Sequence, residues 1–497
     1  MPSRMLPGTL IPLCLAAAPA DAQVRREPET ERQSSESESN PAGAFYPSEA
    51  TGDRSPANRY SSSRWAEDWR DMADPANRDD PIDRLKFLPL DDDGAIYLTL
   101  SGEARLRVDA AGNPGLREGP HQRRDILRLV GGADLHLGRT VRVYGEVAHG
   151  GIDGRNIGTP SGALRNDLVL QQAFVEVADR VGDVSVGARV GRQEFEDGPN
   201  LLLTSRDNRT IRFTLDGVRL WARTSKVRAT LFDLHDVALG QGGLGDDPTD
   251  DRVRFSGVTA GIVLPRDLFG GSKLYLDPFA WRERQDERRW GDSLGRERRT
   301  YVGAQFWGEA GPVEIDWTIN HQGGRFDGRP IDGWQAFIAQ SVAIGSSGAA
   351  PRVGVRFDYA SGGGGTAAEG TLKATRTPYG NNIHFSYGTF LTATNLVALA
   401  PNVSFRPVPD VVVTLEHQLT WRPSESDAVY TPSSAYAGTE AVPGHRVAQV
   451  SRAQIQWTLT PRLSLTTRLE YLKAQAALTR AGYTDSAFAA GFLSFRF

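Results

Sequence analysis

The sequence predicts an all-β protein, a single antiparallel up-and-down β-barrel of about 18 transmembrane strands, and three observations predict it. Apolar and polar residues alternate through most of the chain after residue 95. Short and long connections alternate between the segments that carry this pattern. The last segment, residues 486–497, has one wholly apolar face and ends on Phe497, which is typical of a strand that closes a barrel against its first strand.

The composition is compatible with strands that have one wet face. Hydrophobic residues make up 39% of the chain and the mean hydropathy is −0.40. After residue 22 there is no apolar run long enough for a membrane-spanning helix, but a spanning strand needs only about ten alternating residues. The 57 basic and 61 acidic residues give a net charge of −4, so no basic excess indicates a nucleic-acid partner.

The first 95 residues divide into three segments before the barrel begins. Residues 1–22 read as a secretory signal peptide, with Arg4, an apolar run at 10–18 and the small-residue cleavage site Ala20-Asp-Ala22. The only cysteine, Cys14, lies in this leader, so we expect no disulfide in the mature chain. Residues 23–63 are polar and predict a disordered periplasmic tail. Residues 64–95 predict a short periplasmic segment near the barrel mouth.

The strands follow from period-two alternation, which places successive side chains on opposite faces of a strand. In the first one, Ile96, Leu98 and Leu100 alternate with polar residues. The predicted strands of the barrel, residues 96–497, are 96–108, 122–137, 140–150, 167–178, 183–193, 210–223, 226–236, 253–264, 273–285, 297–309, 312–322, 332–346, 350–360, 394–407, 409–422, 447–460, 462–474 and 484–497.

The connections between these strands predict how the barrel is oriented. Two-residue turns at 138–139, 181–182, 224–225, 310–311 and 460–461 alternate with polar loops at 109–121, 151–166, 194–209, 237–252, 286–296, 323–331, 361–393, 423–446 and 475–483. The medium turn at 265–272 departs from this order. Short turns at one end and long loops at the other are typical of barrels in the outer membrane of Gram-negative bacteria, with both termini in the periplasm.

Arginines on the polar faces of the strands predict an anion path through the lumen. Guanidinium groups bind carboxylates with two parallel hydrogen bonds, and a narrow passage strengthens their attraction for anions. Gly191 and Gly217 interrupt the alternation, so the direction of nearby arginines cannot be read. The candidate pore-lining residues are Arg105, Arg128, Arg142, Arg189, Arg192, Arg212, Arg356, Arg452 and Arg468.

An alternative interpretation is that carboxylates on the same faces neutralise these arginines in cross-strand pairs that stiffen the wall. The candidate pore carboxylates are Glu103, Asp216, Asp358 and Glu470. The sequence leaves both interpretations open.

Other chemistry has little support in the sequence. The acidic residues of the loop 246–251 could hold calcium, but solvated outer loops are often as acidic. The eight histidines form no HExxH motif and no nucleophile elbow is present, so we predict no metal site, no cofactor and no enzyme activity.

Two motifs resemble a known family. Val190-Gly-Arg-Gln-Glu-Phe195 and Leu215-Asp-Gly-Val-Arg-Leu220, with Leu98-Thr-Leu-Ser-Gly-Glu-Ala-Arg105 upstream, resemble the alginate export outer-membrane porin family over residues 64–497. The resemblance implies a monomeric 18-stranded barrel with an arginine-rich constriction that secretes an anionic uronate polysaccharide.

Several expectations and alternatives accompany this resemblance. We expect contacts with outer-membrane lipid and with periplasmic polysaccharide-export proteins, and no contact with nucleic acid. The alternatives are an anion-selective or general diffusion porin for small solutes and, less favoured, an outer-membrane barrel enzyme.

Overall fold

The computed structural model describes residues 60, 61, 63–345 and 350–497. The predicted signal peptide and most of the predicted tail, residues 23–59, lie outside the described residues. The described chain forms a closed antiparallel β-barrel whose 18 strands follow one another around the wall in chain order. The fold class, the strand number and their order are therefore as the sequence predicts.

The barrel strands are numbered here in chain order, and a two-residue strand, Leu88–Pro89, pairs with the first of them. Their bounds are β1 Ile96–Gly112, β2 Gln122–Leu137, β3 Val141–Arg155, β4 Asn166–Val181, β5 Val184–Gln193, β6 Leu215–Arg223, β7 Val227–Val237, β8 Thr249–Val263, β9 Ser272–Trp290, β10 Ser293–Ala310, β11 Val313–Phe326, β12 Arg329–Ala343, β13 Arg352–Ala360, β14 Leu396–Val408, β15 Val411–Trp421, β16 Arg446–Thr460, β17 Leu463–Ala474 and β18 Ser486–Arg496.

The barrel closes where β18 pairs with β1, in a register that runs from Ala487 opposite Gly112 to Arg496 opposite Glu103. Phe497 continues this pairing, because Gly102 N donates to its carbonyl at 2.8 Å and its own N–H donates to Gly102 O at 3.1 Å. A Cβ on Gly102 would lie 2.3 Å from the Phe497 ring. The absence of a side chain at Gly102 therefore leaves room for the Phe497 ring at the seam.

The two faces of the strands differ as alternation requires. Outward side chains such as Leu106, Leu129 and Val302 are exposed apolar residues, which suits contact with hydrocarbon. Inward side chains are mostly buried and include many polar ones, because the lumen is filled by packed loops. Among the described residues, no helix is long and apolar enough to cross a membrane.

Two predicted outer loops are wrong. Residues 286–296 and 323–331 are extensions of β9 to β12, joined by tight turns at 291–292 and 327–328. The reason is that both faces are polar there: Arg288 is partly buried while Glu287 and Arg289 on the other face are exposed, so the apolar half of the alternation is missing. The predicted strand 210–223 is also too long, since β6 begins at Leu215.

The segment before β1 docks at the end of the barrel that carries the short turns. It forms four short 3-10 helices, Arg64–Ala66, Arg70–Ala73, Pro75–Asn77 and Pro81–Lys86. An apolar cluster anchors it to the wall; its members are Tyr60, Trp69, Met72, Phe87 and Tyr97. Tyr60, Ser61 and Ser63 are buried here, so the end of the predicted tail belongs to the folded part.

The other helical pieces are single turns in connections. They are the 3-10 helices Pro114–Leu116, Leu268–Gly270 and Thr439–Ala441 and the α-helix Ala476–Thr479.

Candidate functional site: the barrel lumen

A cavity of about 370 Å³ occupies the lumen beside β10 to β18. It extends from residues near the short turns, such as Arg406 and Arg462, to the loop residues 199–208 and 381–387 in mid-barrel. Its charged lining is mostly arginine. Arg105, Arg206, Arg352, Arg356, Arg406, Arg452, Arg462, Arg468 and Arg496 outnumber Glu196, Asp207, Glu314, Asp316, Asp358, Asp410 and Glu416.

Two long outer loops fold into the barrel and form the roof of this cavity. They are residues 194–214, between β5 and β6, and residues 361–395, between β13 and β14. They pair with each other at a bridge between Leu203 and Tyr379. Thr204 N donates to Tyr379 O at 3.0 Å, and Tyr379 N donates to Leu202 O at 3.1 Å. The two loops therefore bond to each other across the lumen.

Apolar side chains fill the space around the paired loops. Phe232, Phe255 and Trp281 from the wall pack with Phe195 and Tyr379 from the two loops. The same cluster continues through loop residues Phe385, Phe390 and Leu391 to Phe488 and Phe492 on the closing strand. The cluster therefore joins opposite sides of the wall above the cavity.

Arg356 and Arg452 form a bridged pair on the cavity wall. Arg356 donates to Glu416 through Nη2 at 3.0 Å and to Asp358 through Nη1 at 2.7 Å. Arg452 also pairs with Glu416 and donates to the carbonyl of Ile383 at 3.1 Å. One carboxylate thus serves two guanidinium groups, so the pairing interpretation and the anion-path interpretation both describe part of this wall.

Arg468 and Arg105 extend this wall towards the closing seam. Arg468 donates to the neutral amide oxygen of Gln454 at 2.7 Å, and its guanidinium lies 5.2 Å from the ring centre of Phe492. Arg105 donates to Ser494 at 2.9 Å and to Asp207 at 2.9 Å. Arg105, Arg356, Arg452, Arg468 and Asp358 are the predicted pore residues that line the cavity.

Residues 383–388 hold the second loop against the arginine wall. Glu470, a predicted pore carboxylate, accepts hydrogen bonds from Ser386 Oγ at 2.6 Å and from the backbone N–H of Tyr387 at 2.5 Å, so it anchors this loop. His384 contacts Arg356 and lies 3.4 Å from Asp358. Burial, and then the nearby charge of Arg356, lower the pKa of His384 to about 4, so the imidazole is neutral at pH 7.

Three further predicted residues, Arg128, Arg212 and Glu103, belong to a buried ion network on the β1–β3 side. Arg128 donates to Glu103 and Asp207, and Arg212 donates to Asp207 and Glu194. Burial tends to raise the pKa of Asp207, but Arg105, Arg128 and Arg212 hold it well below its usual range. Arg64 from the N-terminal segment also belongs to this network, because it donates to Glu103 at 2.9 Å and to Glu146 at 2.7 Å.

Two further predicted arginines, Arg142 and Arg189, point inward and hold the N-terminal segment in place. Arg189 pairs with Glu176 at 2.5 Å and stacks 3.8 Å from the ring centre of Trp65. Arg142 pairs with Glu176 at 2.9 Å and donates to the carbonyl of Trp65 at 2.9 Å. Arg128, Arg142, Arg189 and Arg212 are therefore covered by structural partners and are not among the residues that line the cavity.

Arg192 and Asp216 are not pore residues. They are opposite each other in the register of β5 and β6, where Arg189, Gly191 and Gln193 take the inward positions. Arg192 is therefore on the outward face, where it donates to both Asp216 oxygens at 2.8 and 2.9 Å and to Asp247 O at 2.9 Å. The alternation continues through Gly191 and Gly217, although the sequence analysis takes these glycines to interrupt it.

The residues of this site that sequence reasoning missed include Arg64, Asp207 and His384. These three residues lie in non-repetitive segments, where no period indicates a direction. The acidic loop is satisfied by its own chain: Asp246 accepts from Gly242 N at 2.7 Å and Asp247 from Asn166 at 2.9 Å. In the described part of the chain, no group of three or more His, Cys, Asp or Glu residues could hold a metal ion.

Comparison with known proteins identifies the family to which this barrel belongs. The family model described as "Alginate export" matches residues 96–492. The chain belongs to the alginate export family. No curated protein sequence matches it.

Solved structures resemble this member of the alginate export family in fold. OccK5 (OpdH) of Pseudomonas aeruginosa has a TM-score of 0.51 at 12% identity, with 80% of this chain and 98% of that chain covered. OpdO of the same species has a TM-score of 0.52 at 11% identity, covering 80% and 97%. At such identities the likeness concerns the fold alone. Family and fold together indicate an outer-membrane channel.

Proposed function

We propose that this channel exports an anionic polysaccharide of the uronate class, and that the polymer passes along the arginine wall of the cavity. The observation that carries the proposal is the position of Arg105, Arg356, Arg452 and Arg468 on one side of the cavity beneath the paired loops. Chain carboxylates spaced along a uronate polymer suit guanidinium forks on neighbouring strands.

The existing ion pairs support passage rather than tight binding. Arg356 and Arg452 share Glu416, so an incoming carboxylate exchanges with a protein carboxylate instead of meeting a bare charge. Such exchange offsets part of the free-energy cost of removing water from a polymer carboxylate, and it keeps each contact reversible. We propose that the same wall guides the polymer passively, without catalysis.

The proposal requires the roof to open. The bridge between Leu203 and Tyr379 and the contacts of residues 383–388 with Glu470 are non-covalent, and both belong to connections rather than to the wall. The loops can therefore move while the barrel stays closed. The N-terminal segment narrows the other end, where Arg64 enters the lumen.

Single-channel conductance with graded additions of oligouronate tests this function. We expect oligouronate added on the short-turn side to block the current, with a neutral oligosaccharide of equal length having little effect. Equal block by both sugars, or block by neither, would contradict an anion path and favour a general diffusion porin.

A further inference from the structure

An unusual row of like charges crosses the outward face of four neighbouring strands. Arg254 of β8 is opposite Arg284 of β9, which is opposite Arg298 of β10, which is opposite Arg325 of β11. These four residues are named here the outer arginine row. Neighbouring strands are about 4.8 Å apart, so the row extends roughly 14 Å around the barrel.

The row is at the edge of the apolar band. Four residues further into the membrane on the same face, the outward positions on β8 to β11 are Val258, Ala280, Val302 and His321. Trp334 of β12 follows, and its side chain is 52% exposed. Trp residues mark the boundary between hydrocarbon and headgroups in barrels. Arg282 lies between this boundary and the row. The arginines are therefore at headgroup depth.

The row belongs to the outer leaflet. β8 enters the wall from the long connection 238–248, and β9 and β10 are joined by the turn 291–292 at the same end. The long connections are at the end opposite the periplasmic turns. Arg325 lies in an extension that replaces a predicted loop, whereas Arg254, Arg284 and Arg298 lie near the outer ends of predicted strands.

Protein carboxylates neutralise only part of this charge. Asp233 pairs with Arg254, and Asp286 accepts from Arg284 at 2.8 Å and from Arg296 at 3.1 Å. In the part of the chain that the structure describes, the side chains of Arg282 and Arg298 make no hydrogen bond or ion pair. Like charges placed directly opposite each other destabilise a sheet, so this row favours an anion supplied from outside.

We propose that the outer arginine row, together with Arg282, binds the phosphate groups of a phosphorylated glycolipid of the outer leaflet. Guanidinium groups bind phosphate oxygens with two parallel hydrogen bonds, and the row offers several forks at the depth where such headgroups lie. Apolar Val258, Ala280 and Val302 below the row provide the surface for acyl chains.

Lipid binding by purified full-length protein tests this site. The probes are lipid A with both phosphates and the same lipid with the phosphates removed, each measured by native mass spectrometry after exchange into detergent. The test variant combines Arg282→Gln, Arg284→Gln and Arg298→Gln. The control variant combines Arg123→Gln and Arg155→Gln, outward arginines that are opposite each other at the same end of β2 and β3. Heat-modifiability on gels checks that every variant is folded.

We expect the wild type and the control to retain phosphorylated lipid A, and the triple variant to bind it at least about tenfold more weakly, since it loses several charge-assisted hydrogen bonds. Removing the phosphates should weaken binding to the wild type to a similar degree. Unchanged binding by the folded triple variant, or equal binding of the two lipids, would overturn the proposal. So would displacement of the lipid by oligouronate at the row, which would make the patch an exit contact for the polymer. These outcomes do not depend on what the lumen transports.

Discussion

Arg64 reaches from the N-terminal segment into the lumen and donates a hydrogen bond to Glu103 of β1 at 2.9 Å, while its Nε donates to Glu146 of β3. All three side chains are almost completely buried. A buried ion pair that loses one partner leaves the other charge without compensation, which is strongly destabilising. The contact therefore fixes the N-terminal segment to the inner face of the barrel wall.

Replacing Arg64 by Ala should release the N-terminal segment while the barrel stays folded, because the wall is held by its own strand pairing. We expect faster chymotrypsin cleavage between residues 64 and 95, where neither variant changes an aromatic cleavage site, and a larger conductance. Arg70→Ala is the matched control, since Arg70 lies on the exposed side of the same segment and bonds to Asp68. Equal protease sensitivity of the two variants would show that Arg64 does not anchor the segment.

A disulfide between the two roof loops should lock the channel. Leu203 and Tyr379 are bridge partners, which places their backbones within the range that a disulfide spans. The only cysteine of the chain is Cys14, so the double variant Leu203→Cys, Tyr379→Cys has no competing thiol in residues 60–497. We expect low conductance when the variant is oxidised and recovery under reducing agent. A current that does not respond to reduction would contradict the assignment of these loops as the roof.

Acid should favour opening of the roof through His384. The pKa of this buried imidazole is about 4, below its ordinary value of 6.5. Between these two values a solvent-exposed His384 binds a proton that the buried form does not, so falling pH shifts the equilibrium towards the released loop. We expect conductance to rise as pH falls from 7 to 5, and His384→Gln to weaken this dependence. An identical pH profile in both proteins would contradict the role of His384.

Closure of the barrel should depend on Gly102. Gly102→Leu would place a side chain where the Phe497 ring lies, and deletion of Phe497 would remove its two backbone hydrogen bonds to Gly102. We expect both changes to lower the yield of heat-modifiable barrel. Gly131→Ala is the control, because a Cβ there meets no atom within 4 Å. A normal yield from both seam variants would show that the C-terminal residue is dispensable for closure.

The wall could be predicted from the sequence because alternation is a local signal that each strand carries for itself. The arrangement of side chains in the lumen could not be predicted in the same way. Asp207 and His384 take their places only because two loops fold inward and pair, and loop residues carry no period that predicts a direction. Arg128 and Arg356 look alike in the sequence, yet the first is covered by Asp207 and the second lines the cavity, a difference set by distant segments.

The central claim is that the wall from Arg452 to Arg468 guides an anionic polymer. Efflux from proteoliposomes tests this claim most directly. Vesicles loaded with labelled oligouronate and with a neutral oligosaccharide of equal length report both sugars at once. The test variant is Arg452→Gln with Arg468→Gln, and the control is Arg123→Gln with Arg155→Gln on the outward face. We predict that the wild type and the control release oligouronate faster than the neutral sugar, and that the folded test variant loses this preference. Equal release of both sugars by the wild type, or an unchanged preference in the test variant, would contradict the account.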